Sequence, residues 1–206
     1  TPTLSKNAIT YGDALNTIAL SGKLHDNVNN VDVDGTFEWV DGTHIPVVGN
    51  GTYAAEWIFE PTDTEKYLTV SGRSNITVEK AQQYGKVSMA GYTYGQTPST
   101  PTLTDRTGDG SVTYYYSTTN SNSGGTKWEN IQADTLNAGT HYMYAELGET
   151  ENYGSFTTAC VKFRVVRAMP TYTAPTGLTA KYGQTLADVT LPNDWSWMDK
   201  IFVIPL

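Results

Sequence analysis

The sequence contains little cysteine, little charge and no long hydrophobic run. Cys160 is the single cysteine among 206 residues, which excludes a disulfide within the chain. Charged residues make up 17% and the formal net charge is −8. Because an acidic surface repels phosphate backbones, we expect no nucleic-acid partner. No apolar run approaches the roughly 18 residues of a membrane span, so we expect none in this segment.

Aromatic and turn-forming residues are abundant instead. The chain has 14 Tyr, 5 Trp and 19 Gly. Short stretches of alternating apolar and polar residues, such as residues 52–59, are typical of half-buried strands. The composition therefore predicts an all-β protein with thin cores that depend on a few large rings. It is typical of a secreted or surface protein, and the lack of disulfides favours a bacterial exterior.

A short motif ending in Tyr-Gly occurs three times. It reads Ile-Thr-Tyr-Gly, Tyr-Thr-Tyr-Gly and Ala-Lys-Tyr-Gly, and its last glycines, Gly12, Gly95 and Gly183, are 83 and 88 residues apart. A period of this size, filled with short strands, is typical of tandem β-sandwich modules of roughly 100 residues. We predict three modules, the last of them incomplete: module one at residues 1–81, module two at 82–168 and a truncated third copy at 169–206.

Other landmarks recur in the same order. Asp34-Gly35 of module one corresponds to Asp109-Gly110 of module two, and Gly51 corresponds to Gly139. In the third copy Trp195-Ser196-Trp197 takes the place of Phe37-Glu38-Trp39, and residues 201–206 match nothing in the other copies. The polar segment 23–34 is predicted to be a loop. The chain begins inside module one, so we interpret it as a piece of a longer protein.

These residues resemble the bacterial Ig-like repeats of Gram-positive cell-surface proteins. The matching stretches are residues 9–12, 35–39, 59–67 and 78–81 of module one and 175–188 of the third copy, and the resemblance is looser in module two. It implies antiparallel Ig-like β-sandwiches in an extracellular stalk or adhesin at the cell surface or cell wall. The family has no shared catalytic residues. The insert at 23–34 and the foreign sequence after about Lys200 depart from its pattern.

The resemblance and the residues together predict a non-catalytic segment that spaces or presents a functional domain. No Gly-x-Ser-x-Gly motif occurs, and Cys160 lies in a predicted strand at 157–166 without an activating partner. We therefore expect no enzyme activity and no cofactor. Neighbouring repeats of the same chain are expected as partners. An accessory module of a cell-wall-associated glycoside-degrading enzyme is an alternative.

A second alternative is an adhesin module that binds a carbohydrate or a protein, such as a host or cell-wall glycan. Tyr114-Tyr115-Tyr116 lies in a predicted strand whose side chains alternate between two faces. One face would present rings to solvent, and the polar loop 117–126 would supply hydrogen bonds. The predicted ligand-binding residues are Tyr115, Trp128, Tyr142 and Tyr144. Ordinary cross-strand aromatic pairing is the alternative reading of the same residues.

One segment has the beginning of a calcium loop. Residues 30–35 read Asn-Val-Asp-Val-Asp-Gly, with oxygen ligands at the first, third and fifth positions. The alternative is an acidic turn before a strand, in which Gly35 adopts a positive φ. The three histidines have no paired spacing, so we predict no zinc site: His25, His44 and His141.

Overall fold

The computed structural model describes residues 1–192 and 194–201, and this part of the chain is all-β. The prediction of the all-β class is thereby confirmed. The chain divides into two compact units, Thr1–Arg167 and Ala168–Leu206, which we describe separately. The names module one and module two are kept for residues 1–81 and 82–168. Every named sheet takes all its strands from one of these two ranges.

Module one contains eight strands in three sheets. Strands β2, β8, β7 and β6 form a four-stranded sheet in that order, and β1 pairs with β3 and β4 with β5. The strands are β1 (Thr3–Leu4), β2 (Ala8–Thr10), β3 (Leu20–Ser21), β4 (Leu24–Asp26), β5 (Val31–Val33), β6 (Gly35–Trp39), β7 (Thr52–Pro61) and β8 (Val70–Glu79). A single 3-10 turn, Leu15–Thr17, lies between β2 and β3.

The core of module one follows from the alternation along β7. Ala55, Trp57 and Phe59 are buried at every second position because successive side chains of a strand point to opposite faces. Their neighbours form two buried clusters. The first consists of Ile9, Leu15, Ile18, Ala55, Ile76 and Val78, and the second of Val33, Phe37, Trp57 and Phe59.

Module two repeats this plan with a wider sheet. Strands β10, β16, β14, β12 and β13 follow one another, β15 lies beside β14, and β9 pairs with β11. The strands are β9 (Tyr84–Ser88), β10 (Tyr92–Thr93), β11 (Thr102–Thr107), β12 (Val112–Ser117), β13 (Thr126–Lys127), β14 (Gly139–Leu147), β15 (Phe156–Thr157) and β16 (Val161–Val166). Its core cluster is Val87, Met89, Tyr92, Leu136, Met143, Phe163 and Val165.

The pairing register repeats between the modules. Strand β2 runs parallel to β8 with Ile9 opposite Val78, and β10 runs parallel to β16 with Tyr92 opposite Val165. After each pair, the amide of the motif tyrosine donates to the last strand, Tyr11 to Glu79 and Tyr94 to Val166. Gly51, which precedes β7, and Gly139, which begins β14, have positive φ angles of 142° and 159°.

Two local predictions were wrong. Residues 23–34 are not a loop, because β4 and β5 form an antiparallel hairpin in which Leu24 pairs with Val33. His25 and Asp32 are exposed and Val33 is buried, so three alternating residues are enough to form each of the two strands. Cys160 lies between β15 and β16 and outside both strands, so the predicted strand 157–166 is interrupted.

Two features of module one recur among the described residues after Ala168. The 3-10 turn Leu186–Asp188 matches Leu15–Thr17. The Trp39 indole donates to the Ile18 carbonyl at 2.9 Å, and the Trp197 indole donates to the Val189 carbonyl at 3.0 Å. These equivalent bonds agree with the sequence match between Trp197 and Trp39. The segment that joins the 3-10 turn to the tryptophan is far shorter before Trp197 than before Trp39. The unmatched segment 201–206 lies outside the described residues from position 202 onward.

Candidate functional site

Three of the four predicted binding residues lie on one face of module two. Tyr115 and Tyr144 are opposite each other on β12 and β14, and their rings stack at 5.2 Å with an interplanar angle of 10°. Tyr142 lies two residues before Tyr144 on the same face of β14. This outer face is opposite the side that carries the core residues Met143 and Leu147. Sequence alternation alone predicts this grouping.

The ring of Tyr144 is not available to a ligand, because only 1% of the residue is exposed. The loop 117–126 lies over it, and the Gly125 amide donates to the Tyr144 hydroxyl at 3.0 Å. The Asn122 side-chain amide fixes the same loop by donating to the Thr158 carbonyl at 3.2 Å. Tyr115 and Tyr142 stay half-buried at the surface. Burial and a hydrogen bond with Glu146 raise the pKa of Tyr115 above its ordinary value, so its hydroxyl stays protonated.

Trp128 belongs to the other side of the sheet. Its ring makes edge contacts with Tyr116 at 5.8 Å and with Phe163 at 5.9 Å, and it packs against the core cluster. The Trp128 amide also donates to the Tyr114 carbonyl, which holds the residue beside β12. The structure therefore separates Trp128 from the outer-face tyrosines. Sequence reasoning missed this because β13 is only two residues long and gives no periodicity.

The acidic residues of the calcium-like segment are engaged by cations of the same hairpin. Asp34 lies 2.6 Å from the Lys23 ammonium group, and Asp32 bonds the His25 ring at 2.9 Å. Gly35 does not adopt a positive φ. Instead, a Cβ at Gly35 would collide with the Glu60 carbonyl and the Phe59 ring, so glycine is required there by a close approach of β7.

A turn of module two clamps the junction between the modules. This junction turn, residues 148–154, pairs with Ala81. The Ala81 amide donates to the Asn152 carbonyl at 2.9 Å, and the Gly154 amide donates to the Ala81 carbonyl at 3.0 Å. The Asn152 side chain reaches module one and accepts a hydrogen bond from the Val48 amide at 3.0 Å. Polar backbone groups on both sides of the junction are thereby satisfied by each other.

Side chains complete the junction. Lys80 donates to Glu149 at 2.6 Å and to the Thr150 carbonyl at 2.6 Å. The Tyr11 and Tyr153 rings meet edge to face at 5.4 Å. Tyr11 is the tyrosine of the first Tyr-Gly motif, so this motif both turns the chain and supplies a contact to the next module. The Lys80 ammonium group holds the pKa of Glu149 below its ordinary value.

Gln83 holds the junction turn in shape. The residue is fully buried, and its side-chain amide donates to the carbonyls of Gly148 and Gly154, each at 2.8 Å. Its side-chain oxygen accepts from the Gly110 amide at 3.0 Å. The side chain therefore ties both ends of the turn to the start of β12. Removal of this buried amide would lower the stability of the fold, because its three backbone partners would be left without a hydrogen bond.

An apolar groove opens on module one, at the position that corresponds to the junction of module two. Its volume is about 460 Å³. Phe59 and Val33 form part of the lining, and the residues Val28 and Leu68 beside them are 92% and 87% exposed. The hairpin β4–β5 supplies one wall. Neither the groove nor the role of Gln83 was predicted. The sequence match between residues 61–67 and 148–153 was the available signal, because the first range lines the groove and the second lies in the turn that Gln83 bonds.

No group of three or more His, Cys, Asp or Glu side chains that could hold a metal ion occurs among residues 1–192 and 194–201. In the same residues, no helix is long and apolar enough to span a membrane. Burial raises the pKa of the Cys160 thiol, which disfavours the reactive thiolate. Comparison of the sequence with models of known protein families finds no match, and comparison with curated proteins finds none either.

Proposed function

We propose that this chain is a non-catalytic structural segment of a bacterial surface protein, in which tandem Ig-like β-sandwiches space a functional domain away from the cell wall. The junction between the modules carries this proposal. A spacer must resist bending, and short linkers are stiffer when their backbone is bonded on both sides. Here Ala81 is paired with the junction turn, and Asn152 bonds module one directly.

The repeated register supports tandem modules of one kind. Ile9 and Tyr92 occupy the same position in the parallel pairings of the two modules, and each module has its own buried core. A chain of such units with bonded junctions transmits orientation from one unit to the next. An extracellular location remains part of the proposal and is supported by the composition, in which only 17% of the residues are charged and Tyr and Gly are abundant.

Distance measurements between the modules test the spacer function. Spin labels at Thr36→Cys on β6 and Lys162→Cys on β16, in a Cys160→Ser background, report on one exposed site in each module. We expect a narrow distance distribution by double electron–electron resonance. Asn152→Ala together with Tyr153→Ala should broaden it, because the bond to Val48 and the contact with Tyr11 are lost.

The matched control is Asn122→Ala with Tyr142→Ala, which removes the same residue types from module two away from the junction. This control should keep the narrow distribution. A broad distribution in the chain without junction substitutions would contradict a stiff spacer.

The second candidate function is carbohydrate binding by module two. The half-exposed rings of Tyr115 and Tyr142 on one face favour it, since flat aromatic surfaces stack on sugar rings. A glycan-array screen of the full chain tests this candidate. Tyr115→Ala should abolish binding, whereas Thr113→Ala on the same face should retain it. If no glycan binds, carbohydrate binding by this face is rejected.

A further inference from the structure

The outer face of the sheet in module two carries basic side chains beside its tyrosines. Lys162 lies directly opposite Tyr142 in the pairing of β16 with β14. Lys127 lies directly opposite Tyr115 in the pairing of β13 with β12. Arg164 follows Lys162 by two residues and is therefore on the same face of β16. Because directly opposite residues of an antiparallel pair point to the same side of a sheet, these five side chains share one surface.

The strand order places the tyrosines in the middle of this surface and cations on both sides of them. In the run β16, β14, β12 and β13, Tyr142 and Tyr115 lie on the two inner strands. Lys162 and Lys127 lie on the two outer strands of this run, three strand spacings or about 14 Å apart. This distance exceeds the size of one sugar ring, so a polymer with repeated anionic groups fits the surface better than a single sugar.

The positive charge of β16 is not compensated by neighbouring carboxylates. Among residues 1–192 and 194–201, Lys162 and Arg164 form no ion pair, and both are exposed. The acidic residues near this face have other partners, since Glu146 bonds Tyr115 and Glu129 lies 3.7 Å from the lysine of β13. Although the chain has a net charge of −8, salt screens charges that lie more than about 10 Å away. The outer face of β16 therefore attracts anions locally.

Hydroxyl groups and half-buried rings on the same surface favour a sugar as the ligand. Tyr115 and Tyr142 present aromatic rings on which sugar rings stack. Thr140 is exposed two residues before Tyr142 on the same face, and Ser117 lies directly opposite Tyr142. Hydroxyl groups both donate and accept hydrogen bonds, which suits the many hydroxyls of a saccharide. Cations, rings and hydroxyls together point to a saccharide that carries negative charge.

We propose that the outer face of module two binds an acidic polysaccharide. Its anionic groups contact Lys162 and Arg164, and the guanidinium group forms two parallel hydrogen bonds with an oxyanion such as a carboxylate. Its sugar units lie on the rings of Tyr115 and Tyr142, and Lys127 meets a further anionic group along the polymer. The site rests on the second candidate function, carbohydrate binding by this face, and adds the class of sugar that binds.

Binding of matched polymers to the full chain, measured by biolayer interferometry, tests this site. Polygalacturonate and dextran sulfate carry charged groups on their sugar units, whereas methyl-esterified polygalacturonate and dextran are neutral forms of the same chains. We expect at least one charged polymer to bind, and its neutral form to bind more than about tenfold more weakly. The affinity should fall as ionic strength rises, because salt screens the contacts with the cations.

Charge substitutions locate the site. Lys162→Gln with Arg164→Gln should weaken binding of the charged polymer by more than about tenfold, because the cations that contact its anionic groups are lost. The matched control is Lys6→Gln with Lys66→Gln, which removes the same charge from exposed lysines of module one and should change the affinity by less than about twofold. Equal weakening in both variants would show that only net charge matters and would overturn the proposal.

The aromatic contact and the class of polymer are tested separately. Tyr142→Phe keeps the ring and should bind like the native chain, whereas Tyr142→Ala should bind more weakly. Equal binding of poly-L-glutamate and of the charged polysaccharides would overturn the assignment of a sugar. If neutral glycans bind on the array and neither charged polymer binds, carbohydrate binding by this face stands and the acidic polysaccharide is rejected.

Discussion

At the scale of single residues, Gln83 holds the junction turn in shape through three side-chain hydrogen bonds. Replacing it with alanine leaves the Gly110 amide and the two glycine carbonyls of the turn without their partner. We expect Gln83→Ala to lower the free energy of unfolding by about 2–4 kcal/mol, since each unsatisfied buried group costs about 1–3 kcal/mol. Chemical denaturation followed by circular dichroism measures this loss.

The neighbouring Gln82 is a matched control. It is exposed and makes one long bond, at 3.3 Å, to the Gln83 carbonyl. Gln82→Ala should change the free energy of unfolding by no more than about 0.5 kcal/mol. Equal losses in the free energy of unfolding for Gln82→Ala and Gln83→Ala would show that the buried hydrogen bonds of Gln83 do not stabilise the fold.

The sequence predicted correctly which glycines of the two modules correspond, but not why glycine is required at those positions. Asp34-Gly35 and Asp109-Gly110 were matched from sequence. At both glycines a neighbouring backbone carbonyl approaches too closely for a Cβ atom, that of Glu60 at Gly35 and that of Gly148 at Gly110. The expected positive φ at Gly35 was wrong, because glycine also serves where backbones approach closely. A single sequence does not distinguish these two uses.

At the scale of elements, we expect the stability of the hairpin β4–β5 to depend on pH. The hydrogen bond with Asp32 raises the pKa of His25 above the ordinary value of 6.5. A raised folded-state pKa means that the stabilisation is fully present below the unfolded pKa and is lost as pH rises through the folded one. We therefore expect the His25–Asp32 contact to weaken as pH rises above 6.5.

An NMR titration of the His25 ring protons tests this expectation. The midpoint should lie above 6.5 in the native chain and fall in Asp32→Asn. Asp34→Asn removes a carboxylate of the same hairpin that pairs with Lys23 instead, and it should leave the midpoint higher than Asp32→Asn does. A midpoint that responds equally to both substitutions would contradict a specific bond.

Long alternating strands were predictable, and short polar ones were not. Residues 52–59 alternate strongly and fall within β7, whereas residues 23–34 contain two three-residue strands without enough apolar residues to signal them. The outer-face tyrosines show a second limit. Alternation assigned Tyr115 and Tyr144 to one face, but only the tertiary structure reveals that the loop 117–126 covers Tyr144.

At the scale of the whole molecule, the junction predicts that modules one and two unfold together. Both lie within one compact unit, Thr1–Arg167, and each is small enough that its own core gives only marginal stability. Unfolding one module exposes the junction surface of the other, so their transitions are coupled. Hydrogen exchange by mass spectrometry should give the same denaturant midpoint for the core amides of β7 and β14.

Breaking the junction should separate these midpoints. Asn152→Ala with Tyr153→Ala removes the bond to Val48 and the contact with Tyr11, so β7 and β14 should exchange at different denaturant concentrations. Asn122→Ala with Tyr142→Ala destabilises module two away from the junction, and both midpoints should then shift together. Separate midpoints in the native chain would show that the contacts at Ala81 and Asn152 join the modules without coupling their stability. A common midpoint that survives loss of the Asn152 and Tyr153 side chains would instead place the coupling at Lys80 and at the backbone bonds of Ala81.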